Sequence, residues 1–165
     1  MPTDPNCDVA HGAAPAEPQT RTLVTVFASP VADYLIKFGT DLGFHTVLVE
    51  PERARTANPV LVALPADLDE TADIVFTDHH RVELAPLLRD ALALPVRWIG
   101  VMGNPRHPAP YLGPLTELGV SPADLERIHR PIGLNIGSKT PPEIALATLA
   151  GLLADRNNRK GGFDF

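Results

Sequence analysis

The stretch TLVTVFASPVADYLIKFG, residues 22–39, decides how this chain folds. Leu23 to Phe27 is a short apolar run rich in β-branched residues, the composition of a strand buried on both faces. Helical spacing follows at once. Val31, Tyr34, Leu35, Phe38 and Leu42 fall on one stripe, Ser29 and Pro30 suit an N-cap and first helical position, and Gly43 suits the stop. Phe44 to Val49 then reads as a second strand, which completes a strand-helix-strand unit.

The same alternation continues downstream. Val60 to Leu64 and Asp73 to Thr77 read as further strands, and a helix follows from about Val82, with Leu84, Leu87, Leu88, Ala91 and Leu92 at three- and four-residue intervals. Pro95 separates that helix from a strand over residues 96–102, in which Trp98 is read as a packing residue. Ser121-Pro122-Ala123-Asp124 and Thr140-Pro141-Pro142-Glu143 each pair a hydroxyl N-cap with an acid at N3 and a proline at N1, so each opens a helix. The second of these is long and apolar, with Ile144, Leu146, Leu149 and Leu152. Strands alternating with helices predict one α/β domain: a doubly wound parallel sheet with helices on both faces and right-handed crossovers.

Composition narrows the function classes. A chain of 165 residues with 44% hydrophobic and 21% charged residues fits one globular domain, and no apolar run approaches the roughly 20 residues of a membrane span. The formal net charge of -6 gives no electrostatic reason to approach nucleic acid. The single cysteine, Cys7, cannot close an intramolecular disulfide, and the first residues lack a secretory signal pattern, so a cytoplasmic location is expected. Residues 1–20, with Pro2, Pro5, Pro15 and Pro18 among small and polar residues, predict a disordered tail. Residues 157–165 predict a frayed polar tail, in which Phe163 and Phe165 are candidates to dock on a partner.

Open α/β sheets bind ligands beyond the carboxyl ends of their strands, which selects five segments. The first is the turn Ala28-Ser29-Pro30. Glu50 ends the second strand about 20 residues on, where an acid can accept from ribose hydroxyls, although such acids are also common on any solvated surface. Asp78, His79 and His80 invite a metal or general-base reading; adjacent side chains on an extended segment point to opposite faces, which favours instead a capping Asp78 and backbone-bonded histidines. Gly103, Asn104 and Arg106 follow the strand containing Gly100 and could present an amide and a guanidinium to an anion, or form a plain surface turn. Gly133, Gly137, Ser138, Lys139 and Thr140 precede a helix N-terminus, where free amides and the helix dipole favour an anion. No nucleophile elbow or Walker P-loop occurs in the sequence, so hydrolase or phosphotransferase chemistry has no support.

WIGVMGNPRH at 98–107, together with LGVSPADLERIHRPIGLNIGSKTPPEIALATLAGLLADR at 118–156, resembles the C-terminal Rossmann domain of the XdhC/CoxI family of xanthine dehydrogenase accessory proteins. FTDHHRVELAPLLRDAL at 76–92 is similar to the family's Thr-His-Asp-His stretch, and PIGLNIGSKTPPEIAL is the most specific part. The resemblance implies a Rossmann-like fold and a cytoplasmic, non-catalytic cofactor chaperone. Such proteins bind molybdenum cofactor (molybdopterin) and deliver it to a molybdenum hydroxylase apoenzyme. It also implies that Gly100, Gly103, Arg106, Gly133, Gly137, Lys139 and Thr140 frame a phosphate-bearing ligand. The family's usual Gly-Ala-Gly-His is replaced here by Ala28-Ser29-Pro30, and Cys7 is followed by Asp8 rather than by the family's paired glycines. Two other readings stay open: an NAD(P)-binding oxidoreductase domain, and a ligand-free interaction module that assembles as a homo-oligomer.

Overall fold

A computed structural model describes residues 4–163. The elements run α1 (Pro5–Ala10), β1 (Thr22–Val26), α2 (Pro30–Asp41), β2 (His45–Val49), a single 3-10 turn (Arg53–Arg55), β3 (Ala72–Phe76), α3 (Leu84–Leu92), β4 (Trp98–Val101), α4 (Leu112–Glu117), α5 (Pro122–Leu125), β5 (Ile128–His129) and α6 (Pro141–Arg156). All strands pair in parallel, in the order β2-β1-β3-β4-β5. The order reverses between β1 and β3, and that switch point opens a crevice beyond their carboxyl ends.

Alternation along the strands divides the core into two layers. Val24, Val26, Ile74, Phe76 and Ile99 face α3 and α4, through Leu84, Leu87, Leu88, Ala91 and Leu115. Leu23, Val75 and Trp98 face the other way, onto Leu35 of α2 and Ala145, Leu149 and Leu152 of α6. The sheet is therefore covered on both faces, as the sequence predicts, and no helix among the described residues is long and apolar enough to cross a membrane.

The caps form as their residues dictate. Ser29 Oγ accepts from the Ala32 amide at 3.1 Å, Ser121 Oγ from the Asp124 amide at 3.1 Å, and Thr140 with Glu143 makes the capping box of α6.

Three expectations need correction. Val60 to Leu64 is not a strand: only Leu61 bridges to Val49, and Leu61 and Val62 are each 45% exposed, so the run covers part of the β2 edge without a second face to bury it. The amino-terminal tail contains α1, capped by Asp4 Oδ1 on the Asn6 amide at 2.9 Å, although none of its residues is buried. The carboxyl-terminal tail does not simply fray. Gly161 lies against the Leu134 side chain so closely that a Cβ would sit 2.7 Å from it, while Phe163 is exposed and Phe165 lies outside the described residues.

At the amino ends of the strands, Asp73 is fully buried and joins two helical and loop arginines. Its Oδ1 accepts from Arg97 Nε and its Oδ2 from Arg156 Nε, each at 2.6 Å. Arg156 also donates to the Thr71 carbonyl, so the last turn of α6 is tied to the start of β3. Burial raises the Asp73 carboxyl above its ordinary value even with two guanidiniums pulling against it, the mark of a charge dehydrated at real cost.

Candidate functional site

Beyond the carboxyl ends of β1 and β3 the crevice is occupied by the protein itself. Phe27, the residue after β1, has φ 76°, a left-handed conformation that glycine ordinarily supplies and that a bulky side chain rarely adopts. Its ring is fully buried, edge-on to Phe76 at 6.1 Å and beneath the Arg81 guanidinium at 4.5 Å. Ser29 Oγ, besides capping α2, donates to Thr77 Oγ1 at 3.1 Å, and Thr77 donates in turn to the Phe27 carbonyl at 2.8 Å. Ser29 is thus spent on helix and turn.

Glu50 is engaged by the protein's own donors. Its side chain is 0% exposed, and Arg81 grips it in a fork, Nη2 to Oε1 at 2.7 Å and Nη1 to Oε2 at 3.1 Å. The Ala28 amide donates to Oε2 at 2.9 Å and the Glu52 amide to Oε1 at 3.0 Å. Burial pushes this carboxyl up, but the Arg81 fork and the two amides outweigh it and hold Glu50 below the usual carboxylate range. The same pairing raises Arg81.

Asp78 caps its own turn and His79 bonds to the Met102 backbone, as expected, but the extended geometry behind that expectation does not hold. The segment after β3 bends instead of extending, because Asp78 Oδ1 takes the His80 amide at 2.8 Å, and the rings of His79 and His80 come together with centroids 4.0 Å apart. Burial, reinforced by the charges of His80 and Arg130, lowers His79 from its ordinary value, which leaves the ring neutral near pH 7. Among the described residues no group of three or more His, Cys, Asp or Glu side chains is placed to hold a metal.

The open concavity lies farther along the sheet, beyond β4 and β5. A cavity of about 720 Å³ is lined by Met102 to Arg106, by residues 131–138, and by Ile144, Ala147 and Thr148 of α6. It brings together Gly103, Asn104, Arg106, Gly133, Gly137 and Ser138 of the residues selected from sequence. Ser29, Glu50, Asp78, His79, His80, Gly100, Lys139 and Thr140 are not on its wall.

Each wall has a local cause. Asn104 Oδ1 accepts from the Arg106 amide at 2.9 Å and shapes the turn after β4. Arg130, a residue the sequence reading missed, lays its guanidinium on Gly103, whose Cβ would come within 2.5 Å of Nε, and donates to the carbonyls of Asn104 and His107 at 2.9 and 3.0 Å. An arginine beside a proline in a loop carries no sequence signal for that clamp. Gly133, at φ 85°, brings the loop onto α6: its Cβ would sit 3.0 Å from the Ala147 backbone, and the Leu134 amide donates to the Ala147 carbonyl at 2.9 Å. Gly151 accepts the same close approach from the helix side.

The two amides immediately ahead of α6 are already engaged. Glu143 Oε2 accepts from the Lys139 amide at 2.8 Å and the Thr140 amide at 3.1 Å, and these bonds hold its carboxyl below the ordinary range. The Lys139 and Thr140 amides are therefore not open donors, whereas the side chains of Arg106, Ser138, Asn104 and Asn135 stand on the cavity wall.

Gly100 has a packing role. A Cβ there would lie 2.1 Å from the Trp98 ring and 2.8 Å from Ile132, and Trp98 is itself held by stacking on His129 at 5.1 Å. Gly100→Ala should cost about 1–3 kcal/mol by overpacking. Denaturant unfolding checks this, and the double variant with Trp98→Leu should recover part of the loss.

Comparison with known proteins agrees with this fold. The XdhC Rossmann domain family model matches residues 23–152. YqeB of Escherichia coli (strain K12) is 41% identical over 68 residues, which are 41% of this chain and 13% of YqeB. A solved structure of a xanthine dehydrogenase from Bacillus halodurans shares the fold with a TM-score of 0.65 at 23% identity, over 88% of this chain and 45% of that one. The chain thus spans less than half of either relative. With the matched segment running from β1 through most of α6, this chain belongs to the XdhC Rossmann domain family.

Proposed function

We propose that this domain serves as a non-catalytic accessory in the maturation of a xanthine dehydrogenase-type molybdenum hydroxylase, and that it holds the enzyme's pterin cofactor by its phosphate in the cavity beyond β4 and β5. The observation that carries the reading is the cavity itself. Its volume of about 720 Å³ lies within the range of small-molecule sites, roughly 300–1,000 Å³. Its donor set fits the group: the planar fork of Arg106 suits a phosphate, Ser138 and the amides of Asn104 and Asn135 add neutral donors, and Met102, Ile132 and Ile144 offer an apolar wall for a flat ring system. Family membership and the described relative supply the client class. When bound, the cofactor carries the redox chemistry of the client; the chain's own residues bind and shield it.

Native mass spectrometry of the freshly purified chain, followed by transfer of cofactor to the apoenzyme, tests this. A pterin-phosphate mass and faster activation of the apoenzyme are expected. Arg106→Ala should weaken cofactor binding about tenfold or more, the size of a lost charge-assisted hydrogen bond. Absence of binding to both cofactor and apoenzyme rejects the reading.

A further inference from the structure

We infer that the switch-point crevice, where a sheet of this order places a dinucleotide, is an anion pocket permanently filled by the chain's own Glu50 carboxylate, and that NAD and NADP are therefore excluded from it. The donors around Glu50 are those a ligand phosphate would seek. The Ala28 amide belongs to the turn between β1 and α2, the Glu52 amide closes from the segment after β2, and Arg81 contributes a bidentate guanidinium from the loop after β3. All four bonds converge on one fully buried carboxylate.

Other groups of the turn are committed or lack a donor as well. Pro30 at the first position of α2 has no amide to give, Ser29 is committed to Ala32 and Thr77, and the Phe27 ring fills the floor beneath Arg81. A dinucleotide would have to expel a carboxylate that is tethered to β2 and therefore always at hand. The acid that ends β2, which in a dinucleotide site would accept from ribose, here takes the place of the phosphate.

The pocket should reveal itself when its occupant is cut back. Glu50→Ala leaves Arg81, the Ala28 amide and the Glu52 amide facing a space the size of a small carboxylate. Formate is then expected to raise the melting temperature of Glu50→Ala by several degrees relative to chloride at equal ionic strength. Glu50→Gln keeps the space filled and should show no such response. If Glu50→Ala does not fold unaided, its refolding yield in formate against chloride gives the same readout, with a several-fold gain expected.

Calorimetric titration of the unaltered chain with NAD and with NADP, up to millimolar, should give no binding heat. Heat from either dinucleotide that persists in Arg106→Ala, or a Glu50→Ala chain indifferent to formate in melting or refolding, overturns the inference. It stands apart from the cavity beyond β4 and β5: loss of pterin binding at Arg106 leaves it untouched, and repeating the dinucleotide titrations on Arg106→Ala separates heat from that cavity from heat at the crevice.

Discussion

Arg81→Met should destabilise the fold by about 3–5 kcal/mol, the usual consequence of leaving a buried charge without its partner. Met preserves much of the side chain's length over Phe27 but abandons Glu50, whose carboxylate has no exposure to water. Stability against pH separates this from a mere packing loss. In the unaltered chain Glu50 is held below its unfolded value of about 4.3, so its contribution is complete above that pH and is lost as pH falls through the lower folded value. In Arg81→Met burial acts without the guanidinium, the folded value rises, and the contribution is instead present in acid and lost as pH climbs through it. Denaturant titrations between pH 3 and pH 8 should therefore show an acid limb of opposite slope, a range set roughly by ordinary carboxylate values.

A loss of similar size, about 3–5 kcal/mol, is expected for Asp73→Asn, because Arg97 and Arg156 both aim their Nε donors at that carboxylate. Burial already strains the ionised form, and Arg97 Nη2 is buried without a hydrogen-bond partner among the described residues, so the cluster is far from ideal. Replacing all three together by Leu, Met and Met should recover most or all of the loss, since a dehydrated ion cluster often contributes no more than an apolar one of equal volume. Urea unfolding of the single and triple variants checks both statements. A triple variant as unstable as Asp73→Asn would mean that the cluster stabilises the fold outright.

What the sequence disclosed and what it hid follow one division. Apolar period and capping chemistry are local, so β1, α2, β3 and α6 stand within a residue or two of where spacing puts them. Their core faces follow from alternation. The short β5 was hidden because Ile128 and His129 carry too few residues to show a period, and α4 because Gly113 and Pro114 sit inside it and Tyr111 offers no cap bond. Val60 to Leu64 misled because an apolar run is silent about whether a neighbour exists to cover it.

For the candidate site, the end of the sheet that carries the cavity was legible from topology, and so were the two loops that wall it. The roles of single residues were not. Glu50 reads as a ribose acid until Arg81, far along the chain, is seen to face it. Gly100 reads as a ligand-framing glycine until Trp98 is found against it, and Gly133, which does line the cavity, is also pressed onto Ala147. Each depends on a contact between distant segments, which spacing cannot encode.

The bond from Leu134 to Ala147 makes helix α6 a strut. Its 16 residues, at about 1.5 Å each, extend about 24 Å, from the cavity wall at one end to the Asp73 cluster at the other. The glycine contacts of Gly133 and Gly151 leave no slack between loop and helix. Widening the cavity by moving residues 131–138 therefore has to carry the strut along, and the arginine anchor at its far end sets how much it can swing.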